Sequence, residues 1–294
     1  MILYADSLGV GEAITTGLFI DKLSGIGGIP RGVITEIFGD EGLGKSSLCL
    51  QVIAAAQRQG LRCLWVDIEW SFDTRYAESL GVDIHKLGII REQIGEVALA
   101  RVEDEIGNWD LIVIDSAGGI LPRAEAEKEI EGKTIGGQAS IIARFIRKIV
   151  PLISIHKVAL IVINHAFIDI MSGKLLTSGG RKLQYHKSLS IRLKLKPNTS
   201  LKQGERKVGK VVIGEVKKNK LAATEGMEVD SQLIFGKGFS VSADILNDAI
   251  DANIITKKGN TYFYGKTKLG VGLSKVRKQL EENKELTEQI KHAL

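Results

Sequence analysis

One octapeptide, Gly39-Asp40-Glu41-Gly42-Leu43-Gly44-Lys45-Ser46, constrains this chain more than any other stretch. It fits G-x-x-x-x-G-K-[ST], a phosphate-binding loop that needs a buried strand before it and a helix after it. Both are legible. Residues 33–38 (Val-Ile-Thr-Glu-Ile-Phe) read as a buried strand, and residues 46–58 read as a helix. The glycines let backbone N–H groups curl around phosphate oxygens, and the helix N-terminus adds partial positive charge. Lys45 is placed to reach the β- and γ-phosphates, and the Ser46 hydroxyl suits Mg²⁺. Gly39, Asp40, Glu41, Gly42, Leu43, Gly44, Lys45, Ser46 and Ser47 are the expected nucleotide contacts.

The rest of the chain alternates apolar, strand-like runs with helical patterns. Strands are expected at 33–38, 62–67, 111–115 and 159–164, with helices at 46–58, 72–80, 96–107 and 137–155. That alternation predicts an α/β fold with a mostly parallel central sheet flanked by helices. Further strands are expected at 187–195, 210–218 and 230–235. Beyond Gly236-Lys237-Gly238 the texture changes to a short helix at 243–252, a small strand at 262–264 and one charged amphipathic helix over 274–294. The division predicted is a short extension at 1–10, a core at 11–238 and a small α+β C-terminal domain at 239–294.

With 44% hydrophobic and 26% charged residues, the composition is that of a globular protein. No apolar run is long enough to span a bilayer, so no membrane partner is expected. Cys49 and Cys63 sit on apolar stretches, as buried thiols would, and no Cys/His spacing suggests zinc. Charge is distributed unevenly. Between Arg181 and Lys220 there are thirteen Lys and Arg residues against two acids, Glu205 and Glu215. This bias suits either a polyanion or a solvated basic face.

Three strand ends sharpen the phosphate-binding reading. Glu69 closes Trp65-Val66-Asp67-Ile68-Glu69, the strand after the first helix, where a carboxylate can deprotonate an attacking water. Leu111-Ile112-Val113-Ile114-Asp115 is four apolar residues ending in Asp, and Asp115 is placed to hold Mg²⁺. Ile161-Val162-Ile163-Asn164-His165 ends a third buried strand, with His165 placed to sense a γ-phosphate.

With these residues in view, the chain resembles the RecA family of bacterial and phage DNA recombinases, from about Gly11 to the C-terminus. The resemblance rests on Ile14-Thr15-Thr16-Gly17, Gly27 to Gly32, the loop with its acidic Glu41, and the helix Gln51 to Arg58. It rests also on Val66-Asp67-Ile68-Glu69 and, most selectively, on Val216-Lys217-Lys218-Asn219-Lys220. The resemblance implies a RecA-like P-loop ATPase core, with ATP and Mg²⁺ as cofactors. Asp73 and Tyr76 fall where the family contacts adenine. Lys218 and Lys220 would reach the γ-phosphate of a neighbouring subunit and act with Lys45, Glu69 and His165 in catalysis. Two loops, at about 128–136 and 166–180, would hold DNA, through Ile135, Gly136, Arg147, Gly179, Gly180 and Arg181.

The implied activity is a cytoplasmic, DNA-dependent ATP hydrolase. It would assemble as a filament on single-stranded DNA, take in duplex DNA, and drive homologous pairing and strand exchange. The chain departs from the family in places. About ten residues precede Gly11, too few for the family's long N-terminal helix, and Ile2-Leu3-Tyr4 is expected to add a short strand to a neighbour instead. His165 stands where the family has Gln, a position at which ring helicases with related cores can carry His. The acidic tail is missing. The rival readings are a ring-forming helicase-like motor and an ATP-gated accessory protein of another recombinase.

Overall fold

The computed structural model describes residues 12–127, 137–168, 173 and 175–294. The expected strand at Ile2–Tyr4, the expected loop at 128–136 with Ile135 and Gly136, and part of the expected loop at 166–180 lie outside these residues.

The chain enters through a small antiparallel ladder, β1 (Ala13–Ile14) with β2 (Ile29–Pro30), around a short helix α1 (Phe19–Ser24). Strand β3 (Ile34–Gly39) and helix α2 (Lys45–Arg58) then bracket the glycine loop. There follow β4 (Cys63–Asp67), α3 (Thr74–Ser79), β5 (Leu87–Arg91), α4 (Gly95–Glu105), β6 (Leu111–Asp115), α5 (Arg123–Ala126) and α6 (Gly137–His156). Next come β7 (Ala159–Ile168), β8 (Leu175–Thr177), α7 (Gly180–His186), β9 (Lys187–Gln203), β10 (Arg206–Asn219), β11 (Glu228–Ile234) and β12 (Gly238–Phe239).

These strands form one ten-stranded sheet in the order β12-β11-β10-β9-β3-β7-β6-β4-β5, with β8 paired to β7. From β9 to β5 the pairing is parallel, and from β9 to β12 it is antiparallel.

The sheet is covered on both faces, and strict alternation along its strands assigns each residue to a face. Cys63 and Trp65, Leu111 and Val113, and Ala159, Ile161 and Ile163 join the core under α2. Their neighbours Leu64 and Val66, Ile112 and Ile114, and Leu160 and Val162 join the core under α4 and α6. α6 contributes Ile142, Phe145, Ile146, Ile149 and Ile153 at helical spacing. Each such side chain contributes about 1.5–3 kcal/mol on burial, so the two cores fix the strand register and with it the alignment of the strand ends. Cys49 and Cys63 are both buried. Burial pushes the Cys63 thiol up to about 12 and Cys49 well above its usual range, so both stay protonated.

A third core belongs to the C-terminal segment: α8 (Val241–Asp251), the antiparallel β13 (Ile255–Lys258), β14 (Thr261–Tyr264) and β15 (Thr267–Val271), then α9 (Leu273–Glu282) and α10 (Lys284–Ala293). Two expectations need correction. The single helix expected over 274–294 is two helices. Asn283 breaks the run at φ −110°, ψ 89°, and its side chain accepts from Leu286 N at 3.0 Å to start α10. The strand expected at 187–195 runs on to Gln203 and turns at Gly204 (φ 61°) into β10, as one long hairpin. The same partner effect lengthens β7, whose far end pairs with β8.

Candidate nucleotide site and its surroundings

Parallel register brings the decisive side chains together. Gly39 pairs with His165 across β3 and β7, and Asp67 pairs with Asp115 across β4 and β6. Four strands therefore end side by side, the position at which open α/β sheets bind ligands. A cavity of about 480 Å³ opens there. It is lined on one side by Glu41, Gly42, Gly44, Lys45, Ser46 and Ser47, and on the other by Glu69, Tyr76, Asp115 and His165.

The glycines of the loop are needed for different reasons. A Cβ on Gly39 (φ 154°) would lie 2.3 Å from the Leu193 carbonyl oxygen of β9. Gly44 (φ 82°) is the left-handed N-cap of α2, and a Cβ there would press on Leu233 and Phe239 at 3.0–3.1 Å. Leu43 turns inward and is buried in the α2 core, so only its backbone faces the loop. The Lys45 ammonium donates to the carbonyls of Gly39 (3.1 Å) and Asp40 (2.9 Å). Burial lowers its pKa, against the pull of Asp115 and Glu69, and the lysine sits coiled inside its own loop.

Ser46 Oγ donates to Asp115 Oδ2 at 2.8 Å. A hydroxyl and a carboxylate oxygen are hard donors of the kind Mg²⁺ selects. Burial pushes the Asp115 carboxyl up to about 6, opposed by the Ser46 hydrogen bond and reinforced by the charges of Glu69 and Asp67. Such a frustrated carboxylate gains from a cation. Among the described residues no group of three or more His, Cys, Asp or Glu side chains gathers to hold a metal. An ion here would complete its shell with phosphate oxygens and water, as Mg²⁺ commonly does.

Glu69 stands just beyond β4. Its Oε1 accepts from the Ser116 hydroxyl and lies 3.2 Å from His165 Nε2. Oε2 has no hydrogen-bond partner among the described residues, and Glu69 lines the cavity. Behind it, buried Asp67 accepts from Ser71 N (3.0 Å) and binds the Arg91 guanidinium (2.9 Å), shaping the turn that carries Glu69. Trp70 follows in a left-handed conformation (φ 57°), exposed, its ring 5.4 Å from that guanidinium.

The other sequence-derived residues are distributed as follows. Tyr76 lines the cavity, its hydroxyl 2.7 Å from Ser47 Oγ. Asp73 caps α3, accepting from Tyr76 N at 3.0 Å, and does not line the cavity. Gly179 is the left-handed N-cap of α7 and Gly180 its first residue. Arg147 on α6 and Arg181 on α7 are exposed, and neither makes an ion pair among the described residues. Lys218 and Lys220 lie elsewhere altogether. β10 runs antiparallel, so Lys218 pairs with Ser190, in the row of Glu36, three residues before Gly39. Their ammonium groups donate to the carbonyls ending α7: Lys218 to Gln184 (2.6 Å) and Lys220 to Tyr185 (2.9 Å).

Sequence reasoning missed the wall formed by Leu233, Ile234, Phe235 and Gly236, and also Ser116 and Lys210. Lys210 Nζ donates to the Gly42 carbonyl (2.8 Å) and lies 5.9 Å from the Phe235 ring centre. No local sequence pattern marks that wall, because Phe235 follows β11, an antiparallel strand three places from β3 in the sheet.

Two family models match the chain: the RecA N-terminal domain over residues 4–240 and the RecA C-terminal domain over residues 243–294. The chain belongs to the RecA family. Protein RecA of Aquifex aeolicus is 39% identical over 285 residues, covering 95% of this chain and 82% of the relative. Protein RecA of Thermus aquaticus is 38% identical over 286 residues, covering 95% and 84%. The crystal structure of the RadB recombinase aligns with 77% of this chain and 98% of its own, at a TM-score of 0.58 and 20% identity, which shows a shared fold. The α/β architecture expected from the RecA resemblance is the one observed, with its large central sheet and a small C-terminal unit of antiparallel strands and helices.

Proposed function

We propose that this RecA-family protein is a DNA-dependent ATP hydrolase that assembles on single-stranded DNA as an ATP-bound filament and promotes homologous pairing and strand exchange. The observation that carries the reading is the convergence of Lys45, Ser46, Asp115, Glu69 and His165 on one cavity at the ends of four parallel strands. In this reading residues 11–238 are the ATPase core and 239–294 an appended domain, and the protein works in the cytoplasm, where ATP and single-stranded DNA meet.

The loop 39–46 would cradle the phosphates, and the Phe235 and Tyr76 walls would flank the base. Ser46 and Asp115 would hold Mg²⁺, whose contribution when bound would be to neutralise phosphate charge. Glu69 would accept the proton of the attacking water at Oε2, while Ser116 and His165 hold Oε1 in place. Lys45 would release its loop carbonyls in favour of phosphate oxygens, a stronger, charge-assisted partner.

Lys218 and Lys220 lie away from the loop of their own chain, Lys218 in the row of Glu36 and Lys220 beyond it, with both ammonium groups on the last carbonyls of α7. Their catalytic role therefore requires a second subunit, which ties hydrolysis to assembly. Gly179, Gly180 and Arg181 at the start of α7, with Arg147 on α6 and the loop bearing Ile135 and Gly136, are the proposed contacts to single-stranded DNA. Duplex DNA is the proposed second substrate. His165 in place of the family's Gln is one of the features that point to a ring-forming motor, and the matches to both RecA models favour the recombinase reading over it.

The test is ATP hydrolysis with and without single-stranded DNA across a protein titration. The reading expects stimulation by DNA that rises cooperatively with protein. Turnover indifferent to both would return the ring and accessory readings to first place.

A further inference from the structure

The Glu36 side chain is fully buried in the middle of β3, three residues before the glycine loop. A carboxylate there is tolerable only if every lone pair is met. It is. Oε2 accepts the Lys187 ammonium and the Ser190 hydroxyl (2.8 Å), and Oε1 accepts the Asn164 amide (3.1 Å) and the Thr177 hydroxyl (2.9 Å). Four donors fill the roughly four acceptor positions a carboxylate offers. They come from three separate elements: β7, β8 and β9.

Two chains of hydrogen bonds leave this hub. Through β7, Asn164 Nδ2 also donates to the Ser178 carbonyl (2.7 Å), and Asn164 Oδ1 accepts from His165 N (3.0 Å). His165 in turn stands 3.2 Å from Glu69. Through β8, Thr177 gives its single hydroxyl proton to Glu36 and accepts from Gln184 Nε2 at 2.6 Å. The Gln184 carbonyl then accepts from Lys218 at 2.6 Å. Neither Glu36 nor Thr177 nor Gln184 lines the nucleotide cavity.

We propose that Glu36, Thr177 and Gln184 are positioning residues. Together they form a buried relay that fixes the His165–Glu69 pair relative to α7 and its Lys218 partner. A strand of DNA engaged at the start of α7 then acts on Glu69 through these bonds, because α7 cannot shift without disturbing the Thr177–Glu36–Asn164 contacts. The inference rests on the reading of the protein as a DNA-dependent ATPase and adds the residues that carry the DNA signal. The warrant is a contiguous set of hydrogen bonds, buried at its centre, where a lost partner cannot be replaced by water.

The test compares Thr177→Val, which removes the hydroxyl at nearly constant volume, with Thr177→Ser, which keeps it, and with Gln184→Met. ATP turnover is measured with and without single-stranded DNA, together with KM for ATP and the thermal midpoint. The ratio of DNA-stimulated to DNA-free turnover is expected to fall about tenfold in Thr177→Val and Gln184→Met, with KM for ATP unchanged, and to stay near wild type in Thr177→Ser. A purely structural role would instead lower both rates together with the thermal midpoint. Should Thr177→Val fail to fold, Gln184→Met, on the half-buried side of α7, decides the matter. Variants that keep the wild-type ratio would overturn the relay alone. A wild-type protein that ignores DNA would overturn the DNA-dependent reading and the relay with it.

Discussion

Ser46 Oγ and Asp115 Oδ2 lie 2.8 Å apart, joined by a hydrogen bond between the first turn of α2 and the end of β6. The bond closes the floor of the cavity with two oxygens that suit a cation, and it leaves a buried carboxylate without a full counter-charge.

That arrangement opposes stability to function at Asp115. Its carboxyl is raised by burial from 3.8 to about 6, so the folded state holds its proton to higher pH than the unfolded state does. Without metal, stability is therefore lost as pH rises from about 4 through about 6, by roughly 3 kcal/mol at most. Asp115→Asn, in chelator at pH 7, is expected to melt higher than wild type and to hydrolyse ATP poorly with Mg²⁺ present. A melting temperature below wild type in chelator would show that the charge is compensated.

The base assignment makes a separable prediction. Glu69→Gln should keep ATP binding and lose at least about 100-fold in turnover. Ser116→Ala should lose less, because it frees Oε1 without removing the base. Equilibrium binding of a fluorescent ATP analogue together with steady-state turnover checks both. Normal turnover by Glu69→Gln would move the base elsewhere.

Much of this site was legible because a parallel sheet converts sequence order into spatial order. Glu69, Asp115 and His165 each follow a short apolar run, and parallel register carries such ends to one edge. The Phe235 wall was not legible, since it follows an antiparallel strand paired through two others to β3, far from the motif in sequence. Lys218 and Lys220 were legible as a motif, but only topology reveals that they sit level with Glu36 and beyond it, away from the glycine loop. Glu36 looked like one more residue of an apolar run. Its burial depends on partners from 128 to 154 residues away, which no local pattern announces. At the C-terminus, amphipathic spacing continued through Asn283, and the break appears only because its side chain caps α10.

Another buried carboxylate governs how the C-terminal segment attaches. Asp244 on α8 accepts from Phe19 N (3.1 Å) on α1 and from Ser231 Oγ (2.7 Å) on β11. Burial raises its carboxyl to about 7, opposed by those two bonds and helped by Asp248 and Asp21. The sign is that of Asp115: stability falls as pH rises from about 4 through about 7, here by roughly 4 kcal/mol at most. Asp244→Asn should flatten the dependence of unfolding free energy on pH over that window, at a cost of about 1 kcal/mol for the weaker acceptor set. Urea unfolding from pH 5 to 8 measures the slope, and an unchanged slope would place the titration elsewhere.

Lys210 supplies the last prediction, from the wall that the sequence did not disclose. Its ammonium joins the Gly42 carbonyl of the glycine loop (2.8 Å) to the Phe235 ring on the facing wall (5.9 Å). Neither contact involves Glu69 or His165, the residues proposed to act on the attacking water. An interaction that shapes the entrance holds ground state and transition state equally, and its loss raises KM without lowering kcat. A half-exposed hydrogen bond is worth about 1 kcal/mol, or about fivefold. Lys210→Met keeps the stem and removes the charge. It should therefore raise KM for ATP about fivefold at constant kcat, and Lys210→Arg should recover most of the loss. A fall in kcat of the same size would mean that Lys210 acts on the phosphates during the reaction, and that the lysine leaves Gly42 when the nucleotide arrives.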